Sequence, residues 1–352
     1  MTFLHQKYHS LTPYTPVEQV DEQTCIKLNT NESPYPPAPS VQTAAAHAAQ
    51  HLNRYSDISA EAVAKPLAVY LGIDQDQLFL GNGSDEVLSY IFQGFTEKGV
   101  AFPDVTYGFY QVYSALYQVD ATVVPLKEDF SIALTDYDSL EGTVIFANPN
   151  APTGVYQEQK DICAFLERHP DRLVIVDEAY IDFGGSSMVS LIDQYQNLLV
   201  VGTFSKSRQL AGARLGFAVA NKELIQDLNR LRFSLNPYNI NSLTQAVGAA
   251  VLQEQGYVDE KIQATIQVRE WSKQALTKLG FEQTDSLGNF LFARYPKISG
   301  EYLYQSLREQ NIFVRWFDQP RTKEYLRITV GTKEQMERLM AALTAIIEEV
   351  NP

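Results

Sequence analysis

Cysteine and long apolar runs are both scarce in this sequence. Its 352 residues include two cysteines, Cys25 and Cys163, which lie far apart and form no CxxC or Cys/His cluster. This excludes a disulfide framework, and both thiols are expected to be reduced. No stretch approaches the ~20 apolar residues of a membrane span, and the N-terminal residues lack the apolar run of a signal peptide. These absences predict a cytoplasmic protein that does not enter a membrane.

Positive charge is also in short supply. The chain has 28 Lys and Arg against 42 Asp and Glu, a net charge of −14. An acidic surface repels phosphodiester backbones and anionic lipid headgroups, so neither nucleic acid nor a membrane surface is an expected partner. An anionic small ligand would have to be held by a few cations inside a cleft.

Histidine is too sparse to build an obvious metal site. His47 and His51 stand four residues apart, as in helical metal sites, but no third ligand lies near them in the sequence. No metal is expected.

Short apolar runs that alternate with helical patterns dominate the first two thirds of the chain. Several are near-continuous and β-branched, which is typical of strands buried on both faces. The candidate strands are 77–80, 100–102, 121–125, 143–147, 173–176, 198–201 and 216–220. The alternation predicts an α/β domain with a mostly parallel sheet and helices on both faces.

The two ends of the chain differ from this pattern. Prolines recur through the first 40 residues and forbid a long helix there. After residue 220, helices come first and short strands follow, as in a smaller α+β domain. We therefore predict an N-terminal arm over 1–30 that packs with the small domain, a large domain over 31–250 and a small domain over 251–352.

Chemistry is expected beyond the carboxyl ends of the strands, where open α/β sheets bind ligands. Gly81–Glu86 (GNGSDE) follows one strand and begins a helix, whose free N–H groups suit a phosphate. The segment lacks the third glycine of a dinucleotide fingerprint and the Gly-Lys-Ser/Thr of a P-loop. A plain glycine turn remains the alternative.

Asp177 and Tyr180 follow another strand (DEAY). A carboxylate that ends a buried strand must be paired. Asp177 could cap the next segment, or it could hold a protonated ring nitrogen of a cofactor. Tyr180, three residues later, would lie on the same side after a helical turn.

Lys206 is unusual because it follows a buried strand and precedes a glycine-containing turn into the next one. Lysine amines become nucleophiles when they are desolvated or lie near other cations, and they bond covalently to carbonyl groups. Arg214 could supply such a cation or bind a phosphate.

Arg327 lies in a segment of alternating character, YLRITV at 325–330. Alternation directs it to the face opposite Leu326, Ile328 and Val330. A guanidinium there could bind a carboxylate or a phosphate, and an exposed strand arginine is the alternative.

Together these segments resemble the fold type I pyridoxal phosphate (PLP) aminotransferases. Within that class the chain is most similar to the histidinol-phosphate aminotransferase family. The matching segments run nearly from end to end: KLNTNESPYPP at 27–37, NRYSD at 53–57, GNGSDE at 81–86, TYGFY at 106–110, NPNAPTG at 148–154, VDEAYIDF at 176–183, SKSRQLAGARLG at 205–216 and YLRITVGT at 325–332.

The resemblance implies PLP as the cofactor and gives roles to the residues around it. Lys206 would hold it covalently and later carry a proton. Asp177 would pair with the pyridinium nitrogen, and Tyr180 and Asn150 would hydrogen-bond the ring oxygen. Tyr107 would stack on the ring. The residues expected around the phosphate are Ser84, Asp85, Ser205 and Arg214.

The resemblance also implies substrate contacts and a second subunit. Arg327 would hold the anionic group of the substrate, with Arg315 and Tyr14 as the next candidates and Asn31 as a further contact. Tyr55 would reach the cofactor of the neighbouring subunit in a homodimer.

The chain departs from the family pattern at two positions. Relatives usually have Asn directly before Pro-Thr-Gly, where this chain has Ala151. Asn150 is expected to take over that role. Val105 replaces a common Pro, which we expect to be harmless.

The resemblance implies an enzyme that converts L-histidinol phosphate and 2-oxoglutarate to imidazole-acetol phosphate and L-glutamate, a step of histidine biosynthesis. Aromatic amino-acid transamination and threonine-phosphate decarboxylation remain alternatives. A PLP-binding regulator without turnover is the non-enzymatic alternative, although the acidic charge and the lack of a spare DNA-binding segment disfavour it.

Overall fold

The computed structural model describes residues 3–9, 11–13, 18, 20 and 24–350, and a seven-stranded sheet forms the centre of its large domain. The strands are β2 (Leu78–Gly81), β3 (Val100–Pro103), β4 (Ala121–Val124), β5 (Thr143–Ala147), β6 (Val174–Asp177), β7 (Leu198–Thr203) and β8 (Gly216–Ala220). Their order is β2-β8-β7-β6-β5-β3-β4, and β8 runs antiparallel to both of its neighbours. All but β4 are buried along their whole length, as their apolar runs predict. The predicted α/β fold is confirmed.

Helices cover both faces of this sheet. In chain order they are α1 (Pro39–Ala48), α2 (Glu61–Leu71), α3 (Gly83–Gly94), α4 (Phe109–Tyr117), α5 (Gln159–Arg168), α6 (Lys222–Leu235) and α7 (Ser242–Gln253). Two separate apolar clusters result, one on each side of the sheet. Sheet residues alternate between them, since Ile145 and Ile175 face one cluster while Val144 and Val174 face the other.

A smaller α+β unit follows. Its antiparallel sheet has the order β12-β13-β10-β9, from Arg315–Trp316 (β12), Leu326–Thr329 (β13), Phe290–Arg294 (β10) and Glu282–Gln283 (β9). Its helices are α8 (Gln255–Leu279), α9 (Gly300–Glu309) and α10 (Lys333–Val350). They enclose a third apolar cluster with β13 and β10 at its centre.

The N-terminal arm is attached to this small unit. β1 (Ile26–Lys27) pairs in parallel with β11 (Ile312–Phe313). Helix α8 belongs to both units, because Val258 and Ile262 lie in the large-domain core while Leu276 lies in the small-domain core. A division at 250/251 therefore falls just before a helix that joins the two cores, and the domain limits remain a prediction.

Three strand ends define one edge of the large sheet. β6 ends at Asp177 and β7 at Thr203, and β8, which runs the opposite way, begins at Gly216 beside Thr203. A Cβ at Gly216 would lie 2.2 Å from the Ser84 nitrogen. The missing side chain thus lets the start of α3 rest against this edge.

Candidate active site

A cleft at this sheet edge, here called the Lys206 cleft, brings together most of the predicted cofactor residues. Eight of them line it: Ser84, Asp85, Tyr107, Asp177, Tyr180, Ser205, Lys206 and Arg214. They come from segments that span residues 84–214, so only the parallel arrangement of the strands unites them. Within the described residues no cluster of His, Cys, Asp and Glu could hold a metal ion.

Lys206 reaches this cleft from the turn after β7. Its Nζ donates to the Thr30 carbonyl of the N-terminal arm at 3.3 Å and lies 5.9 Å from the Tyr180 ring centre. Among the described residues, this neutral carbonyl is the one hydrogen-bond acceptor of Lys206, and it holds the side chain at one end of the cleft. Such an amine can be redirected to a reacting group without breaking an ion pair.

Asp177 lies at the floor of the cleft and is 4% exposed. Burial raises its pKa to about 6, while hydrogen bonds from Tyr110 and the Ala179 backbone oppose the rise. The Tyr110 hydroxyl donates to Oδ2 at 2.9 Å, and the Ala179 N–H approaches Oδ1 at 3.2 Å. A buried carboxylate held by neutral donors is suited to a cationic ligand, because a positive charge would remove its desolvation cost.

Tyr110 is a site residue that the sequence reasoning did not identify. It lies in the TYGFY segment, but only the fold shows that its hydroxyl reaches the end of β6. Burial, followed by the nearby Asp177, raises the pKa of Tyr110 well above its usual range. The phenol therefore stays protonated and acts as a permanent donor.

The start of α3 and Arg214 form the other end of the cleft. Arg214 Nη2 contacts Asp85 Oδ2 at 2.7 Å, and the Tyr107 hydroxyl donates to Asp85 Oδ1 at 2.7 Å. Helix N-termini present N–H groups that lack intrahelical partners, and these groups attract anions. Asp85 offsets the arginine charge here, so the predicted phosphate contact of Asp85 would have to use its backbone N–H.

Asn150 does not line the Lys206 cleft. Its Nδ2 donates to the Val105 carbonyl at 2.8 Å and to Thr153 Oγ1 at 3.0 Å, and its Oδ1 accepts from Thr106 Oγ1 at 2.9 Å. The amide therefore joins its own turn to the loop after β3. Ala151 is the residue of the turn that faces the cleft. The geometry gives no support to a ring contact by Asn150.

A second cavity, here called the arginine cavity, adjoins the first. Tyr107 and Ala151 line both of them, and the second also contains Arg315, Arg321 and Arg327. Arg321 is engaged by Asp104 Oδ2 at 2.7 Å and by the Leu126 carbonyl at 3.0 Å. It therefore joins the loop after β12 to the large domain.

Arg315 and Arg327 are directly opposite each other on β12 and β13. Both guanidinium groups lie over the Phe317 ring, at 5.0 and 5.6 Å from its centre. Arg327 Nη2 also donates to the Asn29 carbonyl at 2.8 Å. Like charges directly opposite each other on a sheet are destabilising unless an anion lies between them. The predicted alternation is present, because Leu326 and Ile328 are fully buried while Arg327 is partly exposed.

Two further predicted residues lie elsewhere. Asn31 is buried behind Tyr180 and donates from Nδ2 to its hydroxyl at 3.0 Å. Tyr55 is 85% exposed and stacks on Tyr238 with ring centres 4.7 Å apart. It does not line the Lys206 cleft of its own chain. Tyr14 falls outside the described residues.

Comparisons with known proteins show the family of the chain. The family model of aminotransferase class I and II matches residues 23–343. The chain is 44% identical over 349 residues to histidinol-phosphate aminotransferase 1 of Hydrogenovibrio crunogenus, covering 98% of each. It is 45% identical over 350 residues to the histidinol-phosphate aminotransferase of Marinomonas sp., covering 98% of this chain and 99% of the relative.

A solved structure extends the likeness to the fold. It is that of histidinol-phosphate aminotransferase from Sinorhizobium meliloti in complex with pyridoxal-5'-phosphate, with a TM-score of 0.89, 24% identity and coverage of 99% of each chain. Since the family model and the relatives span almost the whole sequence, the chain belongs to the class I and II aminotransferase family.

Proposed function

We propose that this chain is a PLP-dependent aminotransferase that converts L-histidinol phosphate and 2-oxoglutarate to imidazole-acetol phosphate and L-glutamate, as in histidine biosynthesis. The observation that carries the substrate assignment is the pair Arg315 and Arg327 beside the Lys206 cleft. Relatives that are 44–45% identical over almost the whole chain carry the name of this activity.

The residues of the Lys206 cleft fit PLP in charge and order. Asp177 would hold the pyridinium nitrogen, Lys206 the reactive carbon, and Arg214 with the start of α3 the phosphate. Tyr107 lies between these ends, and its pKa is raised by burial and by Asp85, so its hydroxyl stays protonated. When bound, PLP supplies an electron sink that makes the Cα–H of an attached amine acidic.

Lys206 is the group placed to move the proton. Its Nζ is held at the cleft wall by one backbone carbonyl, so it can leave that acceptor and take a proton from the substrate Cα. The Tyr180 ring lies beside it, and Ala151 also lines the cleft. Asp177 stays ionised most readily when its ligand is cationic, which keeps the ring nitrogen protonated.

The arginine pair explains how one site would serve two substrates. Histidinol phosphate has no α-carboxylate, so its phosphate is its only strong anion. Guanidinium groups bind phosphate and carboxylate alike through parallel hydrogen bonds. Arg315 and Arg327 can therefore hold the phosphate in one half-reaction and a carboxylate of glutamate or 2-oxoglutarate in the other.

A panel of half-reactions tests the assignment. The yellow holoenzyme is mixed in turn with histidinol phosphate, phenylalanine, tyrosine and threonine phosphate, and the loss of the cofactor absorbance is followed. We expect histidinol phosphate to bleach it with the highest kcat/KM. Faster bleaching by phenylalanine or tyrosine would indicate an aromatic aminotransferase, and release of carbon dioxide from threonine phosphate a decarboxylase.

Lys206→Ala is the matched control for this panel. The variant should keep the fold, because the lysine makes few packing contacts in a polar cleft, and should lose nearly all turnover. Borohydride should attach the cofactor irreversibly to the wild type and not to the variant. A PLP-binding regulator would instead bind the cofactor and bleach with none of the four amines.

We also propose a homodimer that acts in the cytoplasm. Tyr55 and Tyr238 form an exposed aromatic stack, and more large apolar side chains are exposed in the segments around them, among them Leu52, Ile58, Phe233 and Leu235. Exposed apolar patches of this kind mark interaction surfaces. Among the described residues no helix has the length and apolar character needed to cross a bilayer.

A further inference from the structure

Three consecutive residues, the last two of the N-terminal arm and the one that follows them, contact three different parts of the site. The Asn29 carbonyl accepts from Arg327, the Thr30 carbonyl accepts from Lys206, and the Asn31 side chain donates to Tyr180. This segment, residues 29–31, is thus wedged between the small domain and the Lys206 cleft. In these three contacts Asn29 and Thr30 use their backbone carbonyls, whereas Asn31 uses its side chain.

The small domain holds Asn31 firmly in place. Its backbone N–H donates to Thr329 Oγ1 at 2.9 Å, and its carbonyl accepts from Asn289 Nδ2 at 3.0 Å. Thr329 Oγ1 in turn donates to Asn31 Oδ1 at 3.1 Å. Asn31 has φ of 55°, a left-handed conformation that Asn tolerates better than most residues.

These bonds determine which way the Asn31 amide points. Because Oδ1 accepts the Thr329 proton, Nδ2 faces Tyr180 and can only donate. The Tyr180 oxygen is therefore an acceptor toward Asn31, and its own proton must go to a different partner. Among the residues that the structure describes, none accepts that proton, and Tyr180 lines the Lys206 cleft.

Phe290 completes the support of Tyr180. It packs edge-to-face on the Tyr180 ring with centres 4.9 Å apart, and like Asn289 it belongs to the small-domain segment around β10. Ring and hydroxyl are thus both positioned from the small domain.

We propose that Asn31 is a positioning residue for Tyr180, which orients the Tyr180 hydroxyl so that its proton is donated into the Lys206 cleft, toward the anionic ring oxygen of the cofactor. This inference rests on the proposed function. It gives Asn31 a role through Tyr180 in place of the substrate contact that the sequence suggested. It also offers a physical reason why Ala151 can stand where relatives usually have Asn, since an oriented Tyr180 donor remains.

The test is a substrate-free absorbance titration of the bound cofactor. A hydrogen bond donated to an anionic oxygen lowers its proton affinity, and such a bond to a charged group amounts to about one pH unit or more. We expect Tyr180→Phe to raise the proton affinity of the bound chromophore about 10-fold. Asn31→Gly, which keeps the left-handed backbone and removes the donor, should raise it by a smaller factor.

The double variant decides whether Asn31 acts through Tyr180. If it does, Asn31→Gly should add nothing in the Tyr180→Phe background. Asn31→Asp, which keeps the shape and the Thr329 contact, should have a larger effect than Asn31→Gly, because a carboxylate would accept the Tyr180 proton. This variant also serves if the glycine variant does not fold.

Each result bears on a definite claim. Suppose that the wild type binds the cofactor and turns yellow, and that the Asn31 variants give the same titration as the wild type. This result would overturn the present inference and leave the proposed function intact. So would additive effects in the double variant, or a fall in substrate affinity with an unchanged titration. An enzyme that prefers another amine would still respond as expected, because no substrate is present. A wild-type chain that binds no PLP would overturn the proposed function and this inference with it.

Discussion

At the residue scale, the buried Asp177 carboxylate has a desolvation cost that a cationic ligand can remove. Burial is the main cause that moves its pKa from 3.8 to about 6, and Tyr110 and Ala179 compensate only in part. A carboxyl group with a raised pKa binds more protons in the folded than in the unfolded chain between these values. The free energy of unfolding therefore falls as the pH rises from about 4 to 6, because the buried group must ionise. Above pH 6 this loss of stability is complete and no longer changes with pH.

Asp177→Asn should accordingly stabilise the cofactor-free protein while it weakens catalysis. We expect no gain near pH 4 and a gain that grows through pH 6 to at most about 3 kcal/mol, measured by denaturation of both apoproteins across that range. Proton abstraction by the loaded variant should slow by orders of magnitude in single turnover. If the difference in unfolding free energy between Asp177→Asn and the wild type is the same at pH 4 and at pH 8, burial does not raise the pKa of Asp177.

Glu178, the next residue, makes this comparison with wild type necessary. Burial raises its pKa to about 8, and its partners are Ser187 and the Met188 backbone. Both carboxyl groups thus shape the pH dependence of the wild type. The difference between the wild type and Asp177→Asn removes the contribution of Glu178 except for the part of its raised pKa that the Asp177 charge causes.

At the scale of the elements, β12 and β13 bring two positive charges together. Their pairing places Arg315 opposite Arg327, with Phe317 packed against both. An antiparallel ladder fixes this proximity regardless of the repulsion, so the pair is prepared for an anion before one binds. Arg321, in the loop that follows, joins this side of the cavity to the large domain through Asp104.

Arg327→Ala should lower kcat/KM about 10- to 150-fold for both histidinol phosphate and glutamate, because one hydrogen-bonded charge is lost. The matched control is Arg294→Ala on the neighbouring strand β10, where the arginine pairs with Glu282 outside the cavity. Arg294→Ala should change kcat/KM for histidinol phosphate and for glutamate less than twofold. A loss confined to one substrate would mean that Arg315 alone holds the other.

At the scale of the whole molecule, the site is expected to need a second chain. Tyr55 belongs to the NRYSD segment, is exposed in its own chain and stacks on Tyr238. In a two-fold dimer, Tyr55 of each subunit would reach the Lys206 cleft of the other subunit.

Mixed dimers test this directly. Lys206→Ala chains are expected to be inactive, and Tyr55→Phe chains are expected to be weakened. After subunit exchange, a mixed dimer has one site in which Lys206 and Tyr55 are both intact. Activity above the sum of the two parents is expected, and its absence after verified exchange would place Tyr55 outside the shared site.

The sequence by itself determined the fold class, the family and most of the Lys206 cleft. Buried strands are written as continuous apolar runs, and the residues that follow them, such as Asp177 and Lys206, meet at one edge because parallel strands end there. Alternation in 325–330 likewise indicated the direction of Arg327. These features depend on local periodicity, which a sequence shows directly.

Only the tertiary structure decided which side chains support them. Tyr110 reaches Asp177 across 67 positions, and Asn31 reaches Tyr180 across 149. The Asn150 amide bonds to its own turn and to the loop after β3, although its sequence position suggested a place in the cleft. Helix α8 begins almost where the small domain was expected and yet packs in both cores. Hydrogen bonds and packing between distant segments follow from how the layers stack, and no local pattern in the sequence encodes that distance.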